Sequence, residues 1–269
     1  LIIIMKKYSV LSITAFLFLL SPLPLQAQQE NISFYQHFAP IDLTGNWVSV
    51  VTEDWHTRMV MPERENFDGL PLTQQAQEKA LATNLDALEE QGQACVAYGA
   101  ARIMREPGRL KIYWEDADTL RIDTDSGQQT RLFHFANAPS SIAPSPQGLS
   151  VAQWQYNVGF DPVRTQFVFE QNGFSTQGTD LVLPDSGKLY VKTDNLTEGM
   201  LRKNGAPTST QAVVEEYFNI ISGPDINDWL IVTTIVHDPV NLLVDHVTSS
   251  NFRRENDDSK WNPQPCRLY

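Results

Sequence analysis

The feature that most constrains this chain is a run of short β-prone segments separated by tight-turn signals. Leu110–Glu115, Thr119–Thr124 and Thr130–Phe135 alternate or cluster β-branched and aromatic residues. They are punctuated by Pro107-Gly108, Asp116-Ala117-Asp118 and Asp125-Ser126-Gly127. Strands this short with connections this tight pair antiparallel, and they leave no room for the helical crossovers that parallel βαβ units need. Ala101–Arg105 reads as a further strand ahead of them. Val151–Tyr156, Gln166–Glu170, Lys188–Thr193, Ala212–Ile221, Trp229–His237 and His246–Glu255 read as strands after them, with Asn172-Gly173 and Asp185-Ser186-Gly187 as turns. The Pro- and Ser-rich stretch from Ala138 to Gly148 is loop. The expected fold is therefore mainly β, a single antiparallel barrel or sandwich.

Ahead of the meander, Asp42 to Arg58 opens the folded part with Gly45-x-Trp47 and a long β-prone run, read as strand one from Trp47 to Arg58. Met59 to Leu70 is loop. Thr73 then N-caps a helix to about Gln91, with Ala76, Ala80, Leu81, Leu85 and Leu88 at helical spacing. That helix stands where a simple barrel has a short connection, and is read as a lid or a plug.

Met5-Lys6-Lys7, an apolar core from Tyr8 to Leu20 and Leu25-Gln26-Ala27 before Gln28 form an export signal, residues 1–27. Leu1 to Ile4 precede the first Met and read as upstream translation. The expected compartment is the periplasm or the exterior, with no stable membrane insertion. Gln28 to Ile41 is a lead-in carrying Phe34, Tyr35 and Phe38, and residues 42–269 form the barrel domain. Removing Lys6 and Lys7 takes the basic count from 20 to 18 against 32 acids, and the net charge from −12 to −14. An acidic chain without a Lys/Arg run repels nucleic acid and anionic lipid, so neither is an expected partner. Cys95 and Cys266, the two cysteines of an exported chain, read as one disulfide tying the helical insertion to the C-terminal tail.

Gly45-x-Trp47, together with a late arginine in the closing strand (Arg253 or Arg254), resembles the lipocalin-like (calycin) barrels. The resemblance implies that Trp47 and the arginine, taken as Arg253, plug one end of a barrel whose other end admits a small lipophilic molecule. Val51-Thr52-Glu53-Asp54-Trp55, Leu201-Arg202-Lys203-Asn204-Gly205 and Lys260-Trp261-Asn262-Pro263 resemble a group of secreted bacterial proteins of unassigned function, which supports the compartment and passes on no catalytic residues.

Strand parity sets the candidate chemistry. If Trp47 points inward, so do Ser49, Val51, Glu53 and Trp55, while Asp54, His56 and Arg58 point outward or to the rim. A carboxylate inside an apolar barrel has a raised pKa or a cation beside it, which would make Glu53 a general acid. A rim Glu53 salt-bridged to Arg58 or another arginine, after a bulge resets parity, is the structural alternative. An enzyme of this kind would use Glu53 with His56, Tyr98 or Arg202. A carrier would line its mouth with Trp55, Arg58, Trp114, His134, Trp154, Tyr156 and Tyr217. Arg202-Lys203-Asn204-Gly205 is a basic turn that either clamps a ligand carboxylate or sulfate or is a solvated hairpin. Glu215-Glu216-Tyr217 places Glu216 and Tyr217 on opposite faces, which excludes a dyad. His37, His56, His134, His237 and His246 form no metal motif, although distant strands could gather His56, His134 and His237; no metal or cofactor is expected. Gly-x-Ser-x-Gly, phosphate-loop and dinucleotide motifs are absent. The expected function is binding of a small lipophilic molecule, with a cofactor-free isomerase, hydratase or cyclase next, and an accessory subunit of an envelope complex after that. No protein partner is identified.

Overall fold

The computed structural model describes residues 34–157, 186–223 and 226–269. Its centre is a closed barrel of nine strands. In chain order the barrel strands are β1 (Gly45–Val50), β2 (Arg109–Trp114), β3 (Thr119–Thr124), β4 (Thr130–His134), β5 (Leu149–Tyr156) and β6 (Gly187–Asp194). After a separate small hairpin of β7 (Gly199–Arg202) and β8 (Ala206–Thr208), the barrel resumes with β9 (Val213–Gly223), β10 (Ile226–His237) and β11 (His246–Glu255). Around the barrel the order is β1-β11-β10-β9-β6-β5-β4-β3-β2. The fold is thus mainly β and closed, and it is compatible with a lipocalin-like barrel. It is not purely antiparallel. β4 and β5 run parallel, with Phe133 opposite Ser150 and His134 opposite Val151. The Pro- and Ser-rich loop after β4 makes this geometry available, because it is long enough to return the chain to its starting end, which a tight turn cannot do. The Gln166–Glu170 strand and the Asn172-Gly173 turn lie outside the described residues.

Alternation along the strands sends large apolar side chains inward. Trp47, Phe133, Phe218, Leu189, Leu230 and Ile122 are fully buried, and the Phe133 and Phe218 rings meet edge-on at 5.4 Å. One layer of the interior is polar. The Arg131 guanidinium donates to both Glu216 oxygens at 2.9 and 2.7 Å and to Thr193 Oγ1 at 3.2 Å, with both charged side chains wholly shielded from solvent. Glu216 points in and Tyr217 out, as the alternation requires.

Gly45-x-Trp47 behaves as a closing device, with Arg254 rather than Arg253 as its partner. The Arg254 guanidinium lies 4.2 Å over the Trp47 ring. It donates to the Thr44 and Asp42 carbonyls and to Asp228 Oδ2. Trp47 is paired with Arg254 across the ladder, so the two share the inner face and Arg253 faces away. Gly45 sits at φ +119°, and a Cβ there would stand 2.7 Å from Arg254 Nη1. The position therefore requires glycine.

Strand one ends at Val50, eight residues earlier than read from the sequence. β11 continues past it, and the Ser249 amide is satisfied by the Glu53 carboxylate at 2.7 Å instead of by a strand carbonyl. Asp54 then adopts a left-handed conformation (φ 51°) and starts the short helix α2, following α1 (Phe34–His37), at Trp55–Arg58. The parity inference for Glu53 and Trp55 therefore fails: both lie beyond the barrel wall. The expected single helix is two, α3 (Gln74–Ala82) and α4 (Leu85–Glu90). Thr73 and Asn84 each cap one of them, accepting from Ala76 N and Ala87 N. Arg64 donates to the Ala80, Leu81 and Thr83 carbonyls at the break. Ala101–Arg105 is not a strand either. Its end forms a 3-10 turn, Ile103–Arg105.

These inserted segments and the β7–β8 hairpin form a cap. Leu70, Leu72, Ala76, Ala101, Leu201 and Leu242 pack with Val214 and Val236, which sit where β9 begins and β10 ends. The lead-in covers the other, Trp47 end. Trp154 Nε1 donates to Tyr35 O and Tyr156 OH to Phe38 O, both at 2.8 Å.

The disulfide joins Cys95 to Cys266 with Cα atoms 5.0 Å apart. Among the described residues no helix is long and apolar enough to cross a membrane.

Candidate functional site: an arginine-lined recess in the cap

Four arginines converge where the cap meets the start of β11. Arg58 comes from α2, Arg105 from the 3-10 turn, Arg102 from the position just before it, and Arg202 from β7; all four are at least nine-tenths buried. With Asp54, Thr57, Leu70, Leu201 and His246 they line a recess of about 20 Å³. Arg102, the residue that caps the turn, and Arg105 at its end both line the recess.

The carboxylates nearby are unevenly shared. Arg105 bonds Glu53 and Asp54, each at 2.6 Å. Glu106 holds both Arg102, at 2.5 Å, and Lys203, at 2.8 Å. Among the described residues, Arg202 donates only to the Asn66 and Asp68 carbonyl oxygens. Arg58 donates to the carbonyls of Arg105 and Glu53. Its Nη2 is buried with no hydrogen-bond partner among the described residues. Among the described residues, five cations thus face three directly paired carboxylates, and the two arginines without an acidic partner both line the recess.

The electrostatic consequence falls on the titratable groups themselves. Burial, reinforced by Arg105, pushes the Arg58 guanidinium down to about 10, against the pull of Glu53. Burial also lowers Arg202. Burial alone would raise the Glu106 carboxyl, but Arg102 and Lys203 overcome it and hold the group below its ordinary range. His246 is pushed down to about 4, first by burial and then by Arg105 and Arg202. At neutral pH it is an uncharged imidazole with one N–H to give. An anion entering here would find fixed donors and an unbalanced positive field at low dielectric.

The residues read from the sequence as one site divide among several places. Arg58 and Arg202 meet in this recess, and Glu53 lies on its edge, paired with Arg105. Trp55 and His56 are exposed on α2, the Trp55 and His56 rings edge-on at 5.9 Å. Tyr98 is buried elsewhere in the cap, its hydroxyl donating to Arg267 O and accepting from Lys203. Trp114 and Trp154 lie at the Trp47 end, joined through Phe135, and help line a separate recess of about 250 Å³. In that larger recess the hydroxyl of Thr44 is spent on the Asp42 carboxylate at 2.7 Å, whereas the smaller one gathers four guanidiniums and an imidazole. Tyr156 is held by the lead-in. Tyr217 is on the outer face against Tyr190, with Lys188 5.1 Å over its ring. His134 touches Thr119 Oγ1 at 3.3 Å, and His237 bonds Asp245 at 2.8 Å. His56, His134 and His237 are therefore not gathered.

Comparison with protein-family models, with curated proteins and with solved structures found no match. The recess stands on its own geometry. Sequence reading missed Arg102, Arg105 and His246. The available signal was the Arg-x-x-Arg spacing after Gly99-Ala100-Ala101, which a strand assignment places on opposite faces and a 3-10 turn places on one.

Proposed function

We propose that this chain is a binding protein for a small anionic molecule, taken up in the arginine recess of the cap and not in the barrel lumen. The carrying observation is the buried Arg58 Nη2 without a partner, on a guanidinium that has no carboxylate of its own. A buried charge left uncompensated is costly, and an anion that supplies the missing partner recovers that cost on binding. The lumen offers a small lipophilic molecule less. Its inner positions carry bulky apolar side chains and a buried ion pair, and both ends of the barrel are covered. The disulfide supports a working place in an oxidising compartment, periplasmic or secreted. Catalysis by Glu53 has little support, because this carboxylate braces Arg105 and the Ser249 amide on the rim of the recess.

Thermal unfolding in acetate, sulfate and chloride at fixed ionic strength tests the reading. Wild type should be stabilised by a bound anion in proportion to ln(1 + [L]/Kd), about 1.4 kcal/mol at ten times Kd. Arg58→Met should fold and lose that response. Equal anion dependence in wild type and Arg58→Met would remove the recess as the site.

A further inference from the structure

A second, open trough of about 520 Å³ adjoins the arginine recess and shares two of its lining residues, Leu70 and His246. The rest of its lining is Gly69, Pro71, Asp245 and Val247. The Leu243 amide is fixed to Pro71 O at 2.8 Å, which brings the β10–β11 loop against the trough. That loop and the start of β11 expose Leu243 (71%), Val244 (67%) and Val247 (59%), and α2 exposes Trp55 (63%). Large apolar side chains are rarely exposed together without a ligand or partner to cover them.

Size separates the two compartments by chemistry. A space of about 20 Å³ accepts one group of water size, since one water needs roughly 10–15 Å³ by this measure. It can seat one oxygen of a carboxylate beside Arg58 and His246. The four oxygens of a phosphate or sulfate ask for more room. Charge acts in the same direction. The chain carries a formal charge of −12, so a multiply charged anion is repelled on approach, while a monoanion pays little. Asp245, engaged with His237, gives the trough an acidic wall that steers a head group away from it and toward the arginines.

We propose that the ligand is an aliphatic monocarboxylate whose carboxylate enters the arginine recess while its chain lies outside the barrel in the Leu70–Pro71–Val247 trough. This rests on the anion-binding reading above and adds the class of ligand. The trough accounts for the exposed Val247, and the recess accounts for the unpartnered guanidinium. One amphiphile satisfies both.

Calorimetric titration of the full chain with acetate, octanoate, octyl phosphate and octanol tests it. Octanoate should bind more tightly than acetate, with up to about a fourfold gain per methylene that is fully covered. Octanol should bind at least tenfold more weakly than octanoate. Val247→Ser should cut the advantage of octanoate over acetate several-fold. Arg58→Met, checked for a cooperative melt, should lose octanoate binding. Equal affinity for acetate and octanoate would refute the chain site while leaving anion binding intact. Tighter binding of octyl phosphate would overturn the carboxylate assignment. Octanoate binding untouched by Arg58→Met would place the ligand elsewhere. No response to any anion would remove both readings.

Discussion

Replacing Glu216 by Gln tests whether the barrel interior is a packed, charge-balanced core. Arg131 and Glu216 are both fully shielded, and two parallel bonds of 2.9 and 2.7 Å join them. Glu216→Gln keeps the volume but leaves the guanidinium uncompensated, and it turns an amide N–H toward an arginine donor. Breaking one side of a buried pair costs about 3–5 kcal/mol, whereas replacing both charges with apolar groups of similar volume is near neutral or stabilising by about 1–4 kcal/mol. Arg131→Met with Glu216→Leu should therefore recover most of what Glu216→Gln loses. Ser150 and Thr193 do not need the pair, since their hydroxyls bond each other at 2.7 Å. Urea unfolding followed by tryptophan fluorescence measures this as a change in midpoint at constant slope. For a chain of this size the single variant should melt on the order of 10 °C lower. A single-variant cost below about 1 kcal/mol, or a double variant as unstable as the single, would refute the reasoning. It would mean that water or a ligand reaches the layer and that the lumen is an open compartment.

Glu53→Gln should change stability by less than about 1 kcal/mol, because the Arg105 contact is partly exposed. It should also raise carboxylate affinity about two- to fivefold, since Arg105 loses a counterion; titration with acetate reads this directly, and weaker binding would show that holding Arg105 in place outweighs neutralising it. His246 should make stability fall with acidification. The unfolded imidazole takes a proton near 6.5 and the folded one only near 4, so between these values the unfolded state holds the extra proton. Up to roughly 2–3 kcal/mol is lost as pH falls through that window, and the loss is complete below it. Arg105 and Arg202 oppose protonation and Asp54 and Glu53 favour it; His246→Asn should flatten the profile between pH 6.5 and 4, as urea midpoints across that range would show. Cys95→Ser with Cys266→Ser removes a link spanning 171 residues and should cost about 3–5 kcal/mol by chain entropy; a melt unchanged by reductant would show that the tail docks without it.

The parts of the fold legible in the sequence were those governed by local chemistry. Tight turns marked the β2–β3–β4 meander, Thr73 marked the start of α3, and Gly45-x-Trp47 marked a closing strand, because each follows from a backbone or capping requirement inside a few residues. The missed parts were decided at long range. Nothing local ends β1 at Val50; the Glu53 carboxylate takes the Ser249 amide 196 residues away. The parallel β4–β5 pair depends on a loop crossing the barrel end. Of the site, Arg58 was legible as a mouth residue and Arg202 as part of a basic turn able to clamp a carboxylate, but their convergence was not, because it requires α2 and β7 to meet at one recess. Arg102 and Arg105 disappeared into a presumed strand whose apolar content, Ala101, Ile103 and Met104, serves a turn equally well.

The cap does more than cover the barrel. Its arginine recess is held from behind by contacts that lead to the C-terminal tail. Glu106 pairs Arg102 with Lys203, Lys203 also donates to the Tyr98 hydroxyl, and that hydroxyl is fixed by both the amide and the carbonyl of Arg267. Cys266, the next residue back, closes the circuit to Cys95 three residues before Tyr98. Like-charged guanidiniums repel, so gathering four of them needs a frame that cannot spread. A frame made only of short helices and turns would relax, and the donors would drift apart. The covalent link and the buried Tyr98 supply that frame without entering the site, and preorganised donors lose less entropy when an anion binds. On this view the disulfide belongs to the binding site as much as to the fold.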